Sequence, residues 1–266
     1  MTRSPSRQDL ARSLAQEAGQ LARAMRAEQG TGFVSVKGRQ DFVTKADQAV
    51  EAMLRDRILT AFPDDGFLGE ETGQTAYGPF TWVVDPIDGT TNYLHGLPEW
   101  GVSIACLRKT EIVLGAIALP DLDRIAWCAR GEGAFLDGQR MHLPQHAETD
   151  SRLAILGHSV RLELQDHLGT IGGLLRVGYD YRRQGAACFG LLAVAAGWAD
   201  FYFEGHLNPW DAMAGLLLVQ EAGGTVRVSD LSQFLKHGGA VLASRAPLQA
   251  ETLALLRPQH SSPGSP

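Results

Sequence analysis

The sequence is poor in cysteine: among 266 residues there are only Cys106, Cys128 and Cys188, each set among apolar neighbours. No CxxC pair and no Cys/His spacing occurs, which argues against a disulfide framework and a zinc centre. The three read as buried free thiols of a cytoplasmic protein. Long hydrophobic runs are missing too. The most apolar stretch, Gly190 to Trp198, is too short to span a bilayer and soon meets Asp200. The amino terminus has no apolar core of the secretory type, so neither a signal peptide nor a membrane anchor is expected. Positive charge is also scarce. With a formal net charge of −6 and no basic stripe, general nucleic-acid binding is disfavoured. No G-x-S-x-G is present, "GEGAFL" lacks the third glycine of a dinucleotide loop, and the histidines show no ligand spacing.

What is present is the composition of a globular protein, 44% hydrophobic and 20% charged. A chain this long folds without a crosslink, as one large domain or two intimate halves. Apolar periodicity predicts a helix over residues 8–28, with Leu10, Leu14, Leu21 and Met25 as its seam. A second helix carries Val50, Leu54 and Ile58 and is stopped by Pro63. "TWVVD" reads as a short buried strand. Residues 100–141 read as an antiparallel meander with "DLDR" and "LDGQ" as hairpin tips. Beyond about residue 150, helices over 185–198 and 211–222 alternate with the strands "FYFE", "GTVRVS" and "AVLAS". The fold class is therefore α/β, an α+β half over residues 1–145 and an α/β half over 146–258. The seam is expected near residues 142–151, and a Pro/Ser-rich disordered tail over 259–266.

Five carboxylates fall at element boundaries. Trp82, Val83 and Val84 run straight into Asp85, and Asp88 follows three positions later with Pro86 between. A carboxylate at the end of a buried strand is costly unless paired, and proline removes a ladder donor there. Asp47 opens the second helix, Glu70 lies in "GFLGEETG", and Asp211 opens "WDAMAGLLLVQEAGG". Strand and helix ends of this kind line the crevice of layered α/β folds. Taken singly, simpler readings stay open: Asp47 as the acid of a Thr44-x-x-Asp47 capping box, Asp211 as a first-turn acid, Glu70 or Glu71 as solvated loop charge. Taken together, carboxylates ~4 Å apart would repel by about 4 kcal/mol per pair at an effective dielectric near 20. Divalent cations would remove that conflict, and an all-oxygen donor set selects Mg²⁺, Mn²⁺ or Ca²⁺. The turn Gly89-Thr90-Thr91 offers backbone N–H groups to an anion. A phosphoryl group clamped between metal and backbone donors is the expected chemistry.

Four separated blocks resemble the inositol monophosphatase family: "DFVTKADQAVE", "GEE" with Glu70, "WVVDPIDGTTN" and "WDAMAGLLLVQEAGG". They stand in the family's order and span Asp41 to Gly224. The resemblance implies a layered αβαβα sandwich and Mg²⁺-dependent hydrolysis of a phosphate monoester, with Mn²⁺ as a substitute. By position, Glu70, Asp85 and the carbonyl of Ile87 would bind one metal ion. Asp85, Asp88 and Asp211 would bind a second, and Glu70 would reach a third through water. Thr90 and Asp47, with Glu70, would orient and activate the attacking water, and Gly89 and Thr90 would hold the phosphate. Glu204 and Ala187 match substrate-contacting positions, beside Asp88 and Asp211. The resemblance also implies a cytoplasmic homodimer and lithium sensitivity. A phosphorylated polyol, inositol monophosphate first, is the expected substrate. Nucleotide 3′-phosphate, fructose bisphosphate and histidinol phosphate are the alternatives, and an added partner role in transcription stays open. Met213 stands where the family usually has a small residue, Asn208 and Pro209 fall where it varies, and the loop between Lys37 and Asp41 looks short. The haloacid-dehalogenase mechanism needs Asp-x-Asp and does not match Asp85-x-x-Asp88.

Overall fold

Two amphipathic helices open the chain: α1 (Arg7–Glu28) and, after a ribbon of β1 (Val34–Gly38) and β2 (Asp41–Thr44), α2 (Lys45–Ala61). Leu10, Leu14, Ala18 and Ala22 of α1 and Val50, Leu54 and Ile58 of α2 recur at i, i+4 and are buried. In this computed structural model, residues 6–28, 34–38, 41–76, 78–144 and 151–256 are described. The short loop expected between Lys37 and Asp41, the seam expected near residues 142–151 and the tail 259–266 lie wholly or mostly outside them.

The first half continues with β3 (Gly66–Gly69), β4 (Gly73–Ala76), β5 (Phe80–Asp88), α3 (Thr90–His95), β6 (Gly101–Arg108), β7 (Glu111–Leu119), β8 (Arg124–Ala129), β9 (Gly133–Leu136) and β10 (Gln139–Met141). They form one sheet in the order β10-β9-β8-β7-β6-β5-β3-β4, antiparallel except where β3 runs parallel to β5. The expected hairpin tips are present. A 3₁₀ turn over Pro120–Leu122 joins β7 to β8. Between β9 and β10, Asp137 and Gly138 both take left-handed backbone, as a two-residue I′ turn requires. Strand β5 differs from its expected length. It does not stop at Asp85 but runs on through Pro86 to Asp88. A register shift against β6 between Asp85 and Asp88 takes Pro86 out of the ladder, so its missing N–H leaves no gap.

The second half contains β11 (Leu153–Leu156), α4 (Leu164–Arg176), β12 (Asp180–Arg182), α5 (Ala187–Ala195), β13 (Phe201–Leu207), α6 (Pro209–Glu221), β14 (Thr225–Arg227), α7 (Leu231–His237), β15 (Gly239–Ser244) and α8 (Ala250–Leu255). Its sheet has the order β12-β11-β13-β15-β14, with β11 parallel to both β12 and β13.

The period-two alternation of the large sheet separates two cores. Trp82, Val84, Ile104 and Ala116 face α1 and α2, whereas Val83, Ala105 and Ile117 face α5 and α6. Helices α5 and α6 are apolar on nearly every side because they lie between the two sheets. On the far side of the small sheet, α4 and α8 cover Ala154, Leu156 and Phe201. The layers are therefore αβαβα, as the resemblance implied. Met213 is fully buried in the central layer, so the larger side chain is accommodated there. The three cysteines are buried free thiols. Among the described residues no helix is long and apolar enough to cross a membrane.

Candidate active site

The bulge at the end of β5 turns successive residues toward the middle of the molecule. Asp85, 1% exposed, accepts the N–H of Ile87 on its Oδ1 at 3.0 Å. Thr90 donates its hydroxyl to the carbonyl of Ile87 at 3.1 Å. Gly89 takes left-handed backbone (φ 88°), and a Cβ there would sit 2.9 Å from the Ala186 methyl, so only glycine fits this turn. Asp88 accepts the N–H of Ala187 at 3.2 Å and of Cys188 at 2.5 Å, the first turn of α5. Asp211 closes a capping box on α6: it accepts the N–H of Asn208 at 2.8 Å while the Asn208 side chain caps the N–H of Asp211. The simpler reading of Asp211 is thus true as well, and it leaves the second carboxylate oxygen for the site.

Oxygens of Asp85, Asp88 and Asp211 lie within 4.8 Å of one another. Glu70, just past β3, stands beside Asp85, and Asp85 beside Asp211. Burial, then the charge of Asp211, pushes Glu70 well above the usual carboxylate range. Burial, then Glu70, Asp88 and Asp211, does the same to Asp85. Asp88 is raised by burial against the pull of its two helix N–H donors. Asp211 is raised to about 7, by burial first and then by Asp88. Asp47, 1% exposed, stands close enough to add to the charge felt by Glu70. A cluster so strained by its own charge, made only of oxygen donors, fits a hard divalent cation.

Glu70, Gly89, Thr90 and Asp211 line an open cleft of about 580 Å³. Asp88, Ala187 and Glu204 line a smaller pocket of about 180 Å³ that shares Asp211 with it. Glu204 lies in that pocket with its pKa raised to about 8, by burial first, and its carboxylate accepts the Tyr202 hydroxyl at 2.5 Å. Asp47, Asp85 and Ile87 stand behind the lining.

The residue patterns did not single out several contributors. Glu51, buried on α2, accepts the N–H groups of Glu71 (2.7 Å) and Thr72 (2.9 Å) and the Thr72 hydroxyl (2.6 Å), which fixes the loop carrying Glu70. Its place one α-helical turn after Asp47 was the only available signal. Asn92 donates to the carbonyls of Glu99 and Gln184, both at 2.6 Å, tying α3 to the loop that leads into α5. Gly157 is small because a Cβ would fall 1.8 Å from a Glu204 oxygen. His158, Arg161, Arg183 and His206 also line the cleft.

The family model described as "Inositol monophosphatase family" matches residues 6–262. An inositol-1-monophosphatase of Caulobacter vibrioides is 36% identical over 261 residues, covering 93% of this chain and 96% of that one. A Nus factor SuhB of Xylella fastidiosa is 37% identical over 198 residues, covering 74% and 72%. Among solved structures, an IMPase of Thermotoga maritima superimposes with a TM-score of 0.81 at 29% identity, covering 93% of this chain and 95% of that one.

Proposed function

Because the chain belongs to the inositol monophosphatase family, we propose that it hydrolyses a phosphorylated polyol, inositol monophosphate first, with Mg²⁺ as its cofactor. The observation that carries this reading is the triad Asp85, Asp88 and Asp211, whose oxygens gather within 4.8 Å behind a polar cleft. In this reading Glu70, Asp85 and the Ile87 carbonyl hold one ion and Asp85, Asp88 and Asp211 another, with a third outer position at Glu70. Bound there, the ions would neutralise charge on the phosphoryl group and lower the pKa of a coordinated water.

The chain's own residues do the rest. The N–H groups of Gly89 and Thr90 hold phosphoryl oxygens at the turn into α3. The Thr90 hydroxyl is already committed as a donor to Ile87, so its lone pairs accept from the attacking water and aim it at phosphorus. Glu70, with Asp47 beside it, takes the proton of that water. Water attacks in line and the alkoxide leaves from the opposite face, taking a proton from solvent in the open cleft to become the alcohol, so no phosphoenzyme forms. Glu204, steadied by Tyr202, meets the hydroxyls of the polyol, and Ala187 shapes the pocket wall. The fixed positions of these groups supply orientation before reaction.

A screen of phosphate release from phosphate monoesters with and without Mg²⁺ tests the reading. Metal-dependent release from inositol monophosphate is expected. No release from any monoester with Mg²⁺ or Mn²⁺ would overturn it, and preference for a nucleotide 3′-phosphate, fructose bisphosphate or histidinol phosphate would move the substrate. The name Nus factor SuhB of one relative favours a second, compatible reading, a protein partner in transcription, which pull-down with purified transcription factors would test. A homodimer in the cytoplasm and lithium inhibition remain part of the proposal, measurable by light scattering, fractionation and inhibition assay.

A further inference from the structure

Outside the acid cluster, the loop after β11 and helix α4 bring two histidines face to face. The rings of His158 and His167 stand 4.7 Å apart between centroids, tilted by 42°. Their separation of nine positions in the chain is no ligand spacing, so only the fold reveals the pair. Neither imidazole makes a hydrogen bond among the described residues, and the carboxylate of Asp166, next to His167, makes no ion pair among them. His158, Asp166 and His167 line one cavity of about 30 Å³, together with Ser159, Thr170 and Phe203. That volume admits an ion with its water and no organic ligand.

Two ring nitrogens and a carboxylate oxygen suit a borderline divalent ion, whereas Mg²⁺ prefers oxygen alone. Two imidazoles on one zinc ion hold their nitrogens roughly 3.3 Å apart, a spacing that rings this close reach by turning about χ2. Only the two rings are already paired. Asp166 turns inward to add its oxygen, and water completes the tetrahedron. The acid triad, by contrast, has its three oxygens gathered in advance. Burial, then Arg183, lowers the pKa of His158, and burial, then His158 and Arg183, lowers that of His167. Both shifts favour the neutral imidazole, the form that binds metal. Arg183 is a cation that both rings feel, and Asp166 supplies the opposing charge.

We propose that His158, His167 and Asp166 form a separate site for Zn²⁺ or a similar borderline cation, and that its occupancy lowers turnover at the acid cluster. The site itself stands apart from the phosphatase reading; only the effect on turnover rests on it. Three features link the two places. His158 lines the cleft with Glu70, Thr90 and Asp211, so an ion that holds its ring changes the cleft wall. The same loop carries Arg161, whose Nη1 donates to the Asn208 side-chain oxygen at 3.1 Å, and Asn208 caps the helix that presents Asp211. An ion on His158 also repels Arg183, whose charge reaches Glu204.

Calorimetric titration of Zn²⁺ into the full chain, without an affinity tag and in excess Mg²⁺ so that the acid cluster is filled, tests the site. The wild type is compared with His167→Gln. His167 lines neither the cleft nor the Glu204 pocket, so the variant should keep its fold, which a melting curve checks, and its Mg²⁺-dependent phosphate release. Asp166→Asn, on the same cavity, is a second variant with the same expectation. The expected result is one Zn²⁺ per chain in the wild type and binding weaker by roughly tenfold or more in the variants. No Zn²⁺ binding by the wild type, or equal binding by all three proteins, would overturn the site. Zn²⁺ should also inhibit phosphate release by the wild type, at a midpoint that added Mg²⁺ leaves unmoved and that His167→Gln raises roughly tenfold. Inhibition that Mg²⁺ relieves equally in wild type and variant would put the ion on the acid cluster and end the coupling. If no ester is hydrolysed, the phosphatase reading fails by itself and the titration still decides the site.

Discussion

Both oxygens of Asp88 are held by the start of α5, and the shorter contact, from the N–H of Cys188 at 2.5 Å, joins residues one hundred positions apart. Asp88 therefore fastens the first half of the chain to the second at the site itself. Asn in its place would offer one acceptor and turn an amide N–H toward a helix N–H. Asp88→Asn should lower stability by about 1–2 kcal/mol, the range of a lost helix cap, and cut turnover roughly 100-fold or more through the lost metal ligand. Asp85→Asn should separate the two effects. Its side-chain oxygen still accepts from Ile87, and its amide would donate to Glu70. The metal-free protein should then melt no lower than wild type while metal-dependent turnover is lost. Urea unfolding in EDTA, set beside a phosphate-release assay, checks both variants, and full activity of Asp85→Asn would end the metal assignment.

Asp88 also shows how far the sequence was legible. The spacing Asp85-x-x-Asp88 and the helix openings at Asp47 and Asp211 announced where carboxylates would sit, because their boundaries are written in local chain chemistry. That β5 would run on through Pro86 was not visible, since the bulge that tolerates proline depends on pairing with β6. Helix α4 was hidden by Gly169, Gly172 and Gly173, which dilute helix propensity. Gly173 is there because a Cβ would meet Leu255 of α8 at 2.6 Å, a tertiary reason. Glu51 and Arg161 act through contacts across the fold, which periodicity does not encode.

The charge of the cluster sets a pH dependence. Asp211 and Glu204 are raised from ordinary carboxylate values to about 7 and about 8 in the folded chain. Between those ordinary values and the raised ones, the folded state binds more protons than the unfolded state. Stability must then fall as pH rises. Without metal the melting temperature should decline from about pH 5 to about pH 8. Added Mg²⁺ should raise it by an amount that grows with pH, because the ion binds deprotonated carboxylates. Differential scanning fluorimetry in EDTA and in excess Mg²⁺ measures both curves. A flat EDTA profile would contradict the upward shift that burial, and then the neighbouring acids, impose on Asp211 and Glu204.

Glu51 touches neither cleft nor pocket, yet it holds the loop after Glu70 through two N–H groups and one hydroxyl. Gln would supply one oxygen for three donors and set its own amide against a backbone N–H. Glu51→Gln should cost about 1–3 kcal/mol of stability. It should also raise the Mg²⁺ concentration for half-maximal activity roughly tenfold, as outer-shell changes do at other metal sites. Stability lost with an unmoved Mg²⁺ requirement would show that Glu51 serves the fold alone.

Gly157 controls where Glu204 can stand. It follows β11 without a left-handed φ, so its backbone admits alanine, but an added Cβ would lie 1.8 Å from the Glu204 Oε2 and 2.8 Å from the Tyr202 hydroxyl. Glu204 is the flexible partner and must yield, breaking its bond with Tyr202 and leaving the hydroxyl-facing wall of the pocket. The metal triad stands on β5 and α6 and is untouched by that shift. Gly157→Ala should therefore raise KM for a polyol phosphate by roughly tenfold, the worth of one charge-assisted hydrogen bond. kcat at saturation should change far less, and KM for a small phosphate ester without neighbouring hydroxyls, such as p-nitrophenyl phosphate, should move little. Steady-state kinetics on the two substrates separates the outcomes. An equal rise in both KM values would mean that Glu204 does not read the polyol.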